Sequence, residues 1–185
     1  MFINGKRLEV IERTKLLGVV CTSDGKFAEN TKHIAAKGHA KIWFLRRLKL
    51  LGASTSVLTL LFKLFVRSQL EVAAPLWANS ITIGDRSRLE RVQRAAVAVL
   101  TAGSRLDYGQ SLQGLGLCNL EKRRQALVKK QAIKMAEDTR YSDFFELRTG
   151  SKTRSKNRYM EPTYKTNRMK FSAIPSFLRS LNKEV

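Results

Sequence analysis

Apolar positions along this chain follow two regimes. Up to about residue 25 they come in short runs: Phe2-Ile3, Leu8 to Ile11, and Leu16 to Val20. Asn4-Gly5 separates the first two, and Asn-Gly tolerates positive φ at both centres of a tight turn, so these runs predict a β-hairpin. The third run, flanked by glycines, predicts one further short strand before Ser23-Asp24-Gly25 turns the chain. From Phe27 the spacing becomes helical. Ile34, Gly38, Ile42, Leu45 and Leu48 make one stripe on a helix from about Phe27 to Leu51, closed by Gly52. Ser54 can cap a second helix whose apolar residues, Val57 to Val66, cover nearly every face, leaving Lys63 and Arg67 as its wet edge. That pattern predicts a central, buried helix. Asp85 can cap a third helix, striped by Leu89, Val92, Ala96 and Val99 and ended by Gly103. A short helical turn around Gln110 to Gln113 precedes a fourth long helix, capped by Asn119 and reaching about Glu137. Beyond Arg148 apolar residues are sparse, with one anchor at Ile174 to Leu178. The expected fold class is mainly α: a β element over 1–25, a helical domain over 26–147 and a basic, poorly ordered tail over 148–185.

Charge adds a partner to this outline. Thirty-five Lys and Arg against 15 Asp and Glu give a formal net charge of +20 over 185 residues. Such an excess repels itself and suits a polyanion, RNA or DNA first, because each neutralised phosphate releases a counterion whatever the base sequence. The fourth helix separates its faces: Leu120, Leu127, Val128 and Met135 on one side, Lys122, Arg123, Lys129, Lys130 and Lys134 on the other. Those five are the first candidates for phosphate contact. Arg46, Arg47 and Lys49 near the end of the first helix are the second group, with packing of their aliphatic stems over Trp43 and Phe44 as the alternative. Trp43 and Trp77 are expected in the core rather than stacked on bases. Cys21 and Cys118 have no companion spacing for zinc or for a disulfide framework, and read as two small buried thiols in a reducing compartment. No N-terminal apolar run suits a secretory signal, and the longest apolar stretch is about half of a membrane span. The expected location is therefore intracellular, cytoplasmic or nuclear, with no membrane and no small-molecule substrate.

Five segments carry a family resemblance. Thr14 to Val19 (TKLLGV), Phe44 to Lys49 (FLRRLK), Leu70 to Trp77 (LEVAAPLW), Leu89 to Ala96 (LERVQRAA) and Leu115 to Arg124 (LGLCNLEKRR) occur in the order found at the end of non-LTR, Jockey-like LINE-type retrotransposon reverse transcriptases. The chain resembles that C-terminal region over almost its whole length. Val72 stands where the family has an aromatic residue, and Ala78 where a His is common. The resemblance implies that Leu16, Leu17 and Gly18 lie on a primer-grip-like strand and that the helices form a thumb-like bundle. It also implies a fragment that is inactive as it stands: polymerase chemistry needs an adjacent Asp pair with a third Asp to hold two metal ions, and the sequence has no Asp-Asp pair. No catalytic residue, metal or cofactor is expected; other retroelement domains are implied as possible neighbours. A domesticated RNA- or protein-binding module is the alternative.

Residues 15–49 are also similar to the N-terminal module of AlkB-like tRNA-modifying enzymes. Methyltransferase or 2-oxoglutarate dioxygenase activity is the third and least supported reading. Iron-dependent dioxygenases need two His and a carboxylate. The only histidines, His33 and His39, point roughly 240° apart on one helix and cannot share a metal.

Overall fold

The computed structural model describes all residues except 1, 4, 8, 10, 103, 105, 148–157 and 184–185, and leaves out the side chains of Phe2, Ile3 and Lys6. The expected Asn4-Gly5 turn, the Gly103 helix end and the Arg148 boundary thus involve positions outside the described residues. Strands β1 (Phe2–Ile3) and β2 (Lys6–Arg7) pair antiparallel, as do β3 (Arg13–Leu16) and β4 (Val19–Thr22). The second pair corrects the sequence reading. Leu16 to Val20 is not one strand: Leu17 (φ 47°) and Gly18 (φ 89°) form the two-residue turn of a hairpin in which Leu16 faces Val19. An unbroken apolar run hid the turn, because Leu17 is 93% exposed at its tip despite its side chain.

The rest is helical: α1 (Ala28–Leu50), α2 (Thr55–Leu61), α3 (Ser68–Leu70), α4 (Ala74–Trp77), α5 (Ile83–Leu100), α6 (Tyr108–Gly114), α7 (Leu120–Ala136), a 3-10 segment (Thr139–Phe144), α8 (Asn167–Lys170) and α9 (Ala173–Asn182). Between α2 and α3 the helix continues without a break through π-helical turns at Phe62–Arg67. Helices α1 and α5 run parallel. Thr31 Oγ1 reaches Asp85 Oδ1 at 2.9 Å near their starts, and Lys49 Nζ reaches the Leu100 carbonyl at 3.4 Å near their ends. Gly38 sets their spacing: a Cβ there would meet Leu70 Cδ2 at 2.8 Å and Val92 Cγ1 at 3.3 Å. Around this contact the main core assembles from Ile34, Ile42, Leu45, Leu58, Phe62, Leu70, Trp77 and Leu89. Trp77 is fully buried, with its Nε1 donating to the Val72 carbonyl at 2.9 Å.

Helix α5 starts one turn earlier than expected. Thr82, not Asp85, is its N-cap; Asp85 is the N3 residue of a capping box, and its Oδ2 accepts from the Thr82 backbone N–H. The larger correction concerns α2 and its π-helical extension. Leu58, Phe62 and Val66 are buried, but Val57, Leu60, Leu64 and Phe65 are exposed. The helix lies at the surface, packed on α1 by one apolar face; on its outer side Phe65 meets the Phe44 ring edge-on at 6.1 Å, while Val57, Leu60 and Leu64 are turned to solvent. Trp43 is likewise 68% exposed, against the expectation of a core position.

A second core joins α7 to the C-terminal segment. Val128 and Ala132 of α7 pack with Ala78, Phe145, Phe177, Leu178 and Leu181. From Arg158 onwards the chain folds back onto the bundle. Tyr159 N donates to Asn182 Oδ1 at 2.9 Å, Ser80 Oγ donates to the Phe171 carbonyl at 2.7 Å, and Leu147 and Tyr159 form an antiparallel bridge. The apolar anchor at Ile174 to Leu178 is thus the first half of helix α9, with Phe177 and Leu178 buried.

Candidate nucleic-acid interface

Helix α7 is held by two carboxylates from elsewhere in the fold, Glu90 and Glu71, and by one cation, Arg86. Glu90 Oε2 accepts from the Leu120 backbone N–H at 3.0 Å, supplementing the Asn119 cap, which accepts from Lys122 N at 2.8 Å. Arg86 Nη1 donates to Glu121 Oε1 at 3.0 Å, and Arg123 Nε donates to Glu71 Oε1 at 3.0 Å. Arg124, almost fully buried, donates to Glu121 Oε2 at 2.9 Å. Burial raises the Glu121 carboxyl pKa, but hydrogen bonds from Gln125 and Arg124 and the charge of Arg86 outweigh that and leave it lowered.

These contacts sort the five basic residues expected on α7. Arg123 is half-buried in its ion pair with Glu71, so it serves the packing of α7 rather than the open face. Lys122, Lys129, Lys130 and Lys134 are all exposed. They span an arc of about 140° and an axial length of about 18 Å, close to that of five duplex base pairs. Ile133 and Ala126 are exposed within the same arc. Near the C-terminal end, Asp138 is held down at about 2, chiefly by hydrogen bonds from Arg140, with the charge of Lys134 adding a smaller pull.

The second group lies elsewhere. Arg46 and Arg47 are exposed near the C-terminal end of α1, and half-buried Lys49 donates to the Leu100 carbonyl, the last of α5. Helix α7 instead contacts the N-terminal half of α5, through Arg86 and Glu90, and the α4 region, through Asn79 and Gln125. The fold therefore separates the eight basic candidates into two places. Leu16 and Leu17 are exposed beside the Gly18 turn, away from any strand interior.

One basic feature was not expected from the sequence. The folded-back segment and the bundle enclose two adjoining clefts. One, of about 610 Å³, is bounded by Asn79, Arg86, Gln125, Lys129, Phe171, Ser176, Arg179 and Lys183, among others. The other, of about 650 Å³, shares Asn79, Arg86 and Phe171 and adds Lys26, Thr82 and Arg168. Among the described residues no carboxylate lines either cleft. The cations arrive from five separate stretches of chain, so no local run of the sequence announces them.

Other chemistry is sparse. Among the described residues no group of three or more His, Cys, Asp or Glu side chains is placed to hold a metal ion. Burial, reinforced by the positive charges of Lys37, Lys15 and Arg13, lowers the His33 pKa. Both cysteines are free, and Cys118 is exposed while Cys21 is half-buried, so neither is the fully buried thiol expected. No described helix is long and apolar enough to cross a membrane. Comparison of the chain with protein-family models, with curated proteins and with solved structures gives no match.

Proposed function

We propose that this chain is a nucleic-acid-binding helical module, corresponding to the C-terminal part of a non-LTR retrotransposon RNA-directed DNA polymerase, that holds RNA or DNA through phosphate contacts. The observation that carries the proposal is the outer face of α7. Leu120, Val128, Ala132 and the ion-paired Arg123 and Arg124 are turned to the bundle, while Lys122, Lys129, Lys130 and Lys134 stand exposed on one arc, with Ala126 and Ile133 between them. Lysines arranged in this way neutralise phosphates without reading bases. With a net charge of +20, long-range attraction acts in the same direction. The sequence supplies no adjacent Asp pair, so the reading gives this chain a holding role and no phosphoryl transfer of its own.

The test is binding of a labelled RNA–DNA hybrid over a salt series, with the wild type and with Lys122, Lys130 and Lys134 all changed to Glu. Lys129 stays, because it also lines a cleft. Wild-type affinity should fall steeply with salt. The triple variant should bind at least about tenfold more weakly at low salt, with the salt slope reduced by about three. Equal binding by both proteins would reduce the α7 lysines to solvated surface. A second reading, a protein-binding helical module, is favoured by the exposed apolar face of α2.

A further inference from the structure

The two adjoining clefts form one groove. Asn79, Arg86 and Phe171 belong to both, so the path runs from the β4–α1 connection, past the start of α5, to the facing sides of α7 and α9. Six cations line it: Lys26, Arg168, Arg86, Lys129, Arg179 and Lys183. Two have carboxylate neighbours outside the walls, Asp24 for Lys26 and Glu121 for Arg86. Arg168, Arg179 and Lys183 form no ion pair with any described residue. Arg86 Nε and Arg179 Nη1 are buried and lack a hydrogen-bond acceptor among the described residues. Buried guanidinium N–H groups without acceptors are unfavourable, so a turn of either side chain that brings the group to an anion in the groove is favoured. Phe171 stands where the clefts meet, 43% exposed, with the Arg179 guanidinium over its ring at 5.6 Å.

We propose that this groove binds a single strand of nucleic acid, with its phosphates on Arg86, Arg179, Lys183 and Arg168 and a base against Phe171. The proposal rests on the nucleic-acid reading of the chain and gives it a strandedness and a site that the α7 face does not specify. A path of cations with no carboxylate among the described lining residues satisfies a continuous phosphodiester backbone, which carries a charge at every residue. A mid-path aromatic offers a stacking surface to any base. Each cleft has the volume of an ordinary small-ligand pocket, which suits an unpaired nucleotide rather than a duplex. The aromatic ring and the two-lobed length also favour a strand over a lone phosphate. The groove exists because Ser80 fastens the Phe171 carbonyl and Phe177 and Leu178 seat α9 on α7.

The experiment uses the full chain and fluorescence anisotropy with three probes at low salt: a labelled 12-nucleotide oligouridylate, the equivalent 12-base-pair duplex, and the oligouridylate in competition with inorganic phosphate. The variants are Arg168→Glu with Lys183→Glu, both exposed positions, and separately Arg179→Gln, with circular dichroism to confirm the helix content. The proposal expects single-strand affinity to drop at least tenfold in both variants, with duplex affinity changed less than threefold. It also expects millimolar phosphate to compete poorly against the strand. If the double variant binds the strand like wild type while the α7 triple variant does not, the groove is not the site, although the nucleic-acid reading survives. Equal losses for strand and duplex would replace the groove with general electrostatics, and efficient displacement by phosphate would replace it with a small-anion site. If the wild type binds neither strand nor duplex, the nucleic-acid reading falls and the groove proposal falls with it.

Discussion

The α1–α2 side and the α7–α9 side of this molecule are both rich in cations, yet they differ in what accompanies the charge. No acidic residue occurs between Glu29 and Glu71, and in that stretch Trp43, Leu50, Leu51, Leu60 and Leu64 are each more than half exposed. The cations there, Arg46, Arg47 and Lys63 among them, border apolar surface. On the other side Val128 and Ala132 of α7 and Phe177, Leu178 and Leu181 of α9 cover each other, and Arg86, Lys129, Arg179 and Lys183 border a polar groove. Positive charge alone therefore does not single out either side as a phosphate site. The proposed groove differs from the α1–α2 side in that the apolar surface around it has a partner and its cations converge. The apolar face resembles instead the kind of surface that associates with another apolar surface.

The sharpest way to break the comparison is to unseat α9. Phe177, 3% exposed, is with Phe145 the largest buried side chain in the second core, and Phe177→Ala should lower stability by about 3–5 kcal/mol in urea unfolding. It should also abolish groove binding, leaving the α1–α5 core as the last part to melt. Loss of stability without loss of single-strand affinity would separate α9 from the groove. Smaller, and located between the sides, is the buried Asp85. Burial pushes its pKa up, but hydrogen bonds from Thr82 and Thr31 and the Arg88 ion pair prevail and hold it below the ordinary 3.8. A carboxylate lowered on folding contributes stability that is complete above its unfolded pKa and is lost as pH falls through the folded one. Acid titration should therefore show a loss of stability beginning below about pH 4 that is absent in Asp85→Asn, itself less stable by about 2–3 kcal/mol at neutral pH. The smallest effect is expected on the other side. Leu60→Ser with Leu64→Ser should change unfolding stability by no more than about 1 kcal/mol while reducing self-association and apolar-dye binding. A large destabilisation would mean that this face is packed in solution.

Legibility of the fold followed how local the cause was. The α7 boundaries were readable because Asn119 caps its own helix and the faces of that helix divide by charge. The α1 stripe was readable because Ile34, Gly38, Ile42 and Leu45 lie within one element. The placement of α2 was not, since an apolar composition records what a helix could bury and not whether a neighbour arrives to bury it. The Leu17-Gly18 turn was masked by leucine and valine on both sides. Among the site residues, the exposed face of α7 could be drawn from its own sequence. The assignment of Arg123 to Glu71 could not, because their partnership spans 52 residues. The groove was the least legible feature: Lys26, Arg86 and Lys183 meet only after the chain folds back across itself.

The π-helical turns at Phe62–Arg67 bear on how this chain can change in length. Such a segment holds one residue more than an α-helix would need for the same advance. Deleting a single residue there would close those turns into ordinary α-helix and leave the residues beyond it in nearly the same orientation. Leu70 would keep the gap that Gly38 leaves for it, and Trp77 its pocket in the core. Deleting a residue from the α-helical turns of α2 instead would rotate everything beyond it by about 100° and put both out of register. The surplus residue makes this segment the place where the helix can shorten by one.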